Sequence, residues 1–141
     1  MADSAHAPSV LLELATADEF AARSLLPIEG ITDGVLGFHA QQAVEKALKA
    51  VLAVNGVEFP YSHDLNGLLG LCRKNDIDIP DDLAGVGHLS VFAVRLRYDA
   101  SPAAHLDRSQ GLAWAAAAIR WARAQLEAAQ PPPADEDEVA D

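Results

Sequence analysis

The sequence predicts an all-α fold, an up-and-down bundle of four to five helices. It has no β-branched runs with the strict alternation typical of strands, whereas Ala and Leu recur at spacings of three and four. The chain of 141 residues, 50% hydrophobic, is large enough to bury the core of one domain. We therefore expect a disordered N-terminus at 1–9, the bundle at 10–128 and a disordered tail at 129–141.

The first two helices are predicted at 10–26 and 32–54. A capping box, Thr16-Ala17-Asp18-Glu19, is a candidate start for the first helix, and Pro27 ends it. In the second helix the apolar side chains share one broad face, and Asn55-Gly56 supplies the stop. The opposite face of that helix forms a polar stripe of Gln42, Glu45, Lys46 and Lys49.

Two shorter helices are expected to follow. Ser62 is a candidate N-cap for a third helix, whose apolar face includes Cys72 as a core residue. A fourth helix is predicted from about Pro80 to about Arg97. Gly85 and Gly87 weaken its first turns.

The fifth helix is predicted at about 107–128, with Asp107 as its cap. Trp114 and Trp121 lie nearly opposite its main apolar side, so a second surface must cover these two rings. Two interpretations stay open. Either both rings fit inside the bundle, or they form a dimer interface with a second copy of the chain.

The composition excludes several classes of function. Ten Lys+Arg against 21 Asp+Glu give a net charge of −11, which argues against nonspecific binding of nucleic acid or lipid through global charge. Part of that acidity lies in the tail after Pro131, which is expected to be solubilising. The lone cysteine, the absence of a long apolar run and the first residues predict a cytoplasmic protein without disulfide, membrane span or secretory signal.

Familiar catalytic and metal motifs are also missing from the sequence. Phosphate-loop, HExxH, GxSxG and EF-hand patterns do not occur. The five histidines never pair at a spacing of three or four. We therefore predict no metal site and no cofactor.

A locally basic stretch is the best candidate for a binding site. Residues 95–126 hold five arginines and only two acidic residues. The guanidinium fork suits phosphate, so Arg95 and Arg97 beside Tyr98 are predicted ligands of a nucleotide or RNA. Lys46 and Lys49 either line the same cleft or lie on a solvated helix face with Glu45. The positive charge of this stretch is equally consistent with ordinary surface arginines that bind no ligand.

Three segments give the chain a resemblance to a known family. They are Phe38-His39-Ala40-Gln41-Gln42-Ala43-Val44-Glu45-Lys46-Ala47-Leu48-Lys49-Ala50, Ser62-His63-Asp64-Leu65 and Arg97-Tyr98. Over about residues 10–127 the chain resembles the HEPN family of small helical, nucleotide-associated domains. The resemblance implies a homodimer and a partner nucleotidyltransferase of the MNT type in a toxin–antitoxin-like pair. It gives His63 and Asp64 a mainly structural role at a helix start.

Many members of that family are metal-independent ribonuclease toxins. They carry an arginine, a polar residue, and a histidine after four to six intervening positions. Here His105 follows Arg97 after seven intervening residues, so this pattern is not met. The sequence also has Asp107 where some relatives have a tyrosine that accepts a nucleotide, so that modification is not expected.

Three functions remain open from the sequence. The first is a binding module that presents Arg97, Tyr98 and Lys49 to a nucleotide or RNA phosphate without cleaving it. The second is a ribonuclease that uses Arg97 and a displaced His105 as catalytic residues, since RNA cleavage needs a base and a cation at the phosphate. The third is a structural bundle that dimerises through Trp114 and Trp121.

Overall fold

The computed structural model describes residues 7–93 and 105–130, and the regular elements in these ranges are helices. Four α-helices form the framework: α1 (Pro8–Leu25), α2 (Asp33–Val54), α3 (Leu65–Lys74) and α4 (Arg108–Ala129). Two 3₁₀ helices, Asp81–Leu83 and Val86–Phe92, lie between α3 and α4. The predicted all-α fold is confirmed. No helix in the described ranges is both long and apolar enough to cross a membrane.

Helix α1 begins two residues before the predicted position. Pro8 lies in its first turn, where a missing N–H costs nothing. Thr16 lies in the middle of α1, and its hydroxyl donates to the carbonyl of Leu12 at 2.8 Å. The predicted start at Thr16 is therefore wrong, because that side chain bonds back to the preceding turn. The helix ends at Leu25, just before Pro27, as expected.

Helix α2 follows its prediction closely. The Thr32 hydroxyl accepts from the backbone N–H of Val35 at 3.2 Å and caps the first turn. Asn55 is the C-cap, and Gly56 has a φ of 71°, a conformation that costs glycine little. The Asn55-Gly56 stop is thus confirmed.

The predicted fourth helix is wrong as an α-helix over its described part. Residues 81–83 and 86–92 are 3₁₀ helices, and residues 94–97 lie outside the described ranges. The buried side chains there recur every three residues: Leu83, Val86, Leu89 and Phe92. A 3₁₀ helix has three residues per turn, so this spacing keeps all four on one face.

Helix α2 is the centre of the fold. It packs mainly against α1 and α4, and more lightly against the second 3₁₀ helix and α3. Its predicted apolar face is buried almost throughout, as are three polar residues: Gln41, Glu45 and Lys49. Cys72 on α3 is fully buried in the same core, as predicted.

Both tryptophans of α4 pack against the core of their own chain. Trp114 stacks on the His88 ring with centroids 6.5 Å apart. It also lies so close to Gly85 that a Cβ there would be 2.9 Å from the ring. The 3₁₀ region therefore covers Trp114, in agreement with the interpretation that places the ring within one bundle.

Candidate functional site

Two clusters, each with one histidine, one carboxylate and one lysine, lie side by side on α2. In the first, Asp18 of α1 contacts both His39 Nδ1, at 3.1 Å, and Lys46 Nζ, at 2.6 Å. All three side chains are partly buried. Lys46, a predicted ligand, is thus ion-paired to Asp18 and ties α1 to α2.

The second cluster centres on the buried carboxylate of Glu45. Lys49 Nζ lies 3.1 Å from this carboxylate, and Glu45 and Lys49 are each only 3% exposed. The predicted Glu45–Lys49 pair forms, but the interpretation of a solvated face is wrong for it. The reason is that the loop before α3 covers this side of α2, where Lys49 Nζ lies 5.7 Å from the centroids of both Phe59 and Tyr61.

His63 joins the same cluster from the start of α3. Its Nδ1 lies 2.9 Å from a Glu45 oxygen, and its carbonyl accepts from Gln41 Nε2 at 3.2 Å. A carboxylate only accepts hydrogen bonds, so Nδ1 carries the proton. The His63 side chain is 47% exposed. It therefore links two helices and still presents an edge to solvent.

Asp64, not Ser62, caps α3. The Asp64 carboxylate accepts from the N–H of Asn66 at 3.1 Å, while the Ser62 hydroxyl accepts from the N–H of Asp64 at 3.1 Å. The predicted cap at Ser62 is therefore wrong by two residues. An aspartate accepts the hydrogen bond from the first turn equally well, and its negative charge interacts favourably with the positive end of the helix dipole.

Three predicted ligands, Arg95, Arg97 and Tyr98, lie outside the described residues, but their flanking residues are placed. On one side, Phe92 packs on Gly37 of α2. On the other, the N–H of Leu106 donates to Asp33 at 3.2 Å. Asp33 and Gly37 are one turn apart on α2. The described residues on either side of the arginines therefore both contact the first turns of α2, which precede Gln41 and Glu45 on the same helix.

Of the other basic residues predicted in this stretch, Arg108 is held by its own chain. Its Nε donates to Asp33 at 2.7 Å, and it also donates to the carbonyl of Ile31 at 2.9 Å. Partial burial alone would raise the pKa of Asp33, but the bonds from Arg108 and Leu106 hold it below its usual value. Arg108 therefore contributes little positive charge to a ligand.

Arg123 lies in a groove of about 490 Å³ between α1 and α4. Glu13 and Glu127 line the same groove, over the apolar side chains of Leu12 and Leu126. Two carboxylates beside one guanidinium do not suit a phosphate. His105 is exposed and lies just before α4.

Sequence reasoning missed three polar residues of the clusters: Asp18, His39 and Gln41. For Gln41 a signal existed, because Gln41, Glu45 and Lys49 follow one another at spacings of four and so share a helix face. It also missed Tyr61, which at 76% exposure is the most exposed large apolar side chain in the described ranges. A single tyrosine in a loop carries no pattern that would reveal it.

Comparison with known proteins places this geometry in context. A family model described as the HEPN domain matches residues 9–129. The crystal structure of TT1696 from Thermus thermophilus is similar, with a TM-score of 0.64 and 27% sequence identity. That match covers 84% of this chain and 98% of the other. No match was found among curated proteins.

Proposed function

This chain belongs to the HEPN domain family, and we propose that it binds the phosphate of a nucleotide or of RNA without cleaving it. Arg97 is the main ligand of the phosphate in this proposal, with Arg95 and Tyr98 beside it. The protein acts with a nucleotidyltransferase partner in a two-component, toxin–antitoxin-like system and forms a homodimer.

The contacts of Phe92 and Leu106 with α2 support this choice of site. Phe92 and Leu106, the nearest described residues with contacts on either side of the arginines, contact Gly37 and Asp33 in the first turns of α2, and Gln41 and Glu45 of the His63 cluster follow on that helix. Arg108 is already paired to Asp33, and Arg123 lines a groove together with two carboxylates. Neither of these two arginines is well suited to bind an anion, which leaves Arg95, Arg97 and the exposed Arg120 of the basic stretch, and the proposal takes the first two because they stand beside Tyr98.

Lys46 and Lys49 contribute less to ligand binding in this proposal than the sequence predicted. Lys46 is bound to Asp18, and Lys49 is buried against Glu45. Each lysine is matched by a carboxylate, so their net contribution to the local potential is small. Their role in this proposal is to shape the α2 face beside the arginine segment.

Binding of a labelled RNA by the Arg97→Ala variant tests the site. We expect weaker binding, and a plot of log affinity against log salt that is shallower by about one than for wild type. Arg73→Ala is the matched control, because Arg73 is an exposed arginine in the last turn of α3, outside the basic stretch. Equal loss in both variants, or no loss in Arg97→Ala, would contradict the proposal.

Incubation of the RNA in EDTA separates this proposal from the ribonuclease alternative. We expect the RNA to stay intact. Cleavage that disappears in His105→Ala would instead establish the second function, with Arg97 and His105 as the catalytic pair. For the partner, sedimentation of this chain mixed with a nucleotidyltransferase encoded beside it should show a joint complex.

A further inference from the structure

One face of α1 and the turn after it leave apolar side chains uncovered. Of the seven large apolar side chains that are exposed in the described ranges, five lie here: Val10, Leu14, Phe20, Leu26 and Ile28. Such a concentration on one element marks an interaction surface. We propose that this face of α1 binds the same face of a second copy of the chain, with the two helices antiparallel. The inference rests on the homodimer of the proposed function and specifies its interface.

The uncovered residues have the spacing of a seam between two helices. At intervals of four and three residues, one side of α1 carries what we call the α1 seam: Val10, Leu14, Ala17, Ala21 and Ser24. All of them are exposed except Ala21, which is partly buried. The buried residues of α1 lie one position further along the helix: Leu11, Ala15 and Ala22. Helix α1 therefore has two adjacent apolar seams, and its own chain covers only one of them.

The α1 seam holds no charged residue, so an uncharged surface is its natural partner. A charged surface buried against it would lose water without gaining an ion pair. The segment 131–141 of the chain holds five acidic residues and is therefore poorly suited to cover the seam.

The two halves of the α1 seam differ in size, and this favours a second copy in the antiparallel orientation. Val10 and Leu14 are large, whereas Ala21 and Ser24 are small. In an antiparallel pair centred near Ala17, each large half meets the small half of the other copy. A parallel pair would set large against large and leave a gap between the small halves. One surface that fits its own copy is what a two-fold symmetric dimer requires.

The charges beside the α1 seam agree with this orientation. Glu13 is exposed, and the Arg23 guanidinium lies over the Phe20 ring at 5.6 Å from its centroid. Glu13 and Arg23 are about equally far from the midpoint, so the antiparallel pair brings opposite charges level. A parallel pair would instead bring Glu13 level with Glu13 of the second copy, which is repulsive.

A charge exchange at Ala17 tests the interface by sedimentation equilibrium over a series of protein concentrations. Helix α1 is about 27 Å long, which makes the contact smaller than a standard interface, so we expect a wild-type dimer that dissociates on dilution. Ala17→Glu and Ala17→Lys should each raise its dissociation constant at least about tenfold, because like charges meet near the two-fold axis. An equimolar mixture of the two variants should form the dimer again.

Ala124→Glu is the matched control, because Ala124 is an exposed alanine on α4. It should sediment as wild type does. Glutamate and lysine are good helix formers, so unchanged circular dichroism should show that the Ala17 variants still fold.

The orientation is tested by a second mixture. Val10→Lys with Ser24→Glu should associate, whereas Val10→Lys with Val10→Glu should not, because an antiparallel pair holds the two residues 10 about 20 Å apart. The opposite result would show a parallel pair and overturn the arrangement.

The outcomes separate this inference from the proposed function. A wild-type dimer that both Ala17 variants leave intact would overturn the inference while the homodimer stands, and loss in Ala124→Glu alone would assign the interface to α4. A wild-type monomer at every concentration would overturn both, and the face would then belong to residues outside the described ranges or to another protein. Phosphate binding is measured independently through Arg97→Ala.

Discussion

The ring of Phe92 packs directly on the backbone of Gly37, leaving no room for a Cβ at residue 37. This contact sets how closely the second 3₁₀ helix approaches α2. It also fixes where the chain enters the segment that carries Arg95 and Arg97. A glycine in the second turn of α2, which costs helix stability on its own, is thereby explained by packing.

Substitution of Gly37 by alanine should destabilise the protein. The added methyl group meets the Phe92 ring, and overpacking of this kind costs about 1–3 kcal/mol. Gly34→Ala is the matched control on the same helix, because its Cβ would meet only the Thr32 hydroxyl at an ordinary 3.7 Å. There we expect no loss, or a gain below about 1 kcal/mol. Urea denaturation of both variants checks this, and equal stabilities would contradict it.

Removal of the Glu45 carboxylate should be far more costly than removal of a surface carboxylate. Glu45→Ala removes the buried carboxylate that both Lys49 and His63 contact, and breaking a buried ion pair of this kind costs about 3–5 kcal/mol. Glu19→Ala breaks the pair with Arg23, an arginine that is 61% exposed, and should cost at most about 1 kcal/mol. The free energies of unfolding from urea titration measure the difference. A Glu45→Ala variant as stable as Glu19→Ala would refute this account of the cluster.

The Asp33–Arg108 pair predicts a pH-dependent stability. The folded pKa of Asp33 lies below the ordinary value of 3.8, so ionised Asp33 stabilises the fold above that pH. The stabilisation is lost as the pH falls through the lowered folded value. We expect wild type to exceed Asp33→Asn in unfolding free energy near neutral pH, with the gap closing in acid.

Arg108→Gln provides the control for this pH dependence. It removes the guanidinium that lowers the Asp33 pKa, so Asp33→Asn made in that background should show a smaller pH-dependent gap. An unchanged gap would mean that another group holds the pKa down.

Cys72 should be chemically inert in the folded protein. Burial raises the pKa of its thiol to about 11, and the thiolate is the reactive form. A thiol reagent at about pH 8, near the ordinary pKa of a free thiol, should therefore react with the protein only after urea is added. Rapid reaction of the native protein would show that α3 opens more readily than its packing indicates.

Substitution of Trp114 and substitution of Trp121 should have different effects on the stability of a dimer. The ring of Trp114 is covered by Gly85 and His88 of its own chain, whereas Trp121 has no ring partner of this kind in the described residues. If the second copy packs on this side of α4, Trp121→Ala should shift sedimentation toward monomer and Trp114→Ala should not. A wild-type protein that sediments as a monomer would exclude the dimer.

The helix bounds were predictable where local chemistry decides them. Thr32, Asn55 and Gly56 mark the ends of α2 through capping and a left-handed glycine, which act within a few residues. The 3₁₀ region was not predicted, because spacings of three also occur on an α-helix. This region also packs closely against α4, as at Gly85 against Trp114, and such contacts between distant residues have no local sequence signal.

The candidate site was predicted only in part for the same reason. The motif around His63 and Asp64 located one cluster, and the spacing of Glu45 and Lys49 predicted their pair. Their burial depends on where the loop with Phe59 and Tyr61 packs, which periodicity cannot show. The partner of Lys46 lies 28 residues away on α1 and carries no sequence signal.

Phe92 and Leu106, which are well separated in the sequence, contact two residues of α2 that are one turn apart, Gly37 and Asp33. Because both contacts lie within one helical turn of α2, residues inserted between Phe92 and Leu106 would lengthen the connection without separating its two ends. The entropic cost of such enlargement grows only logarithmically with length. An insertion between Arg97 and His105 should therefore cost the bundle little stability.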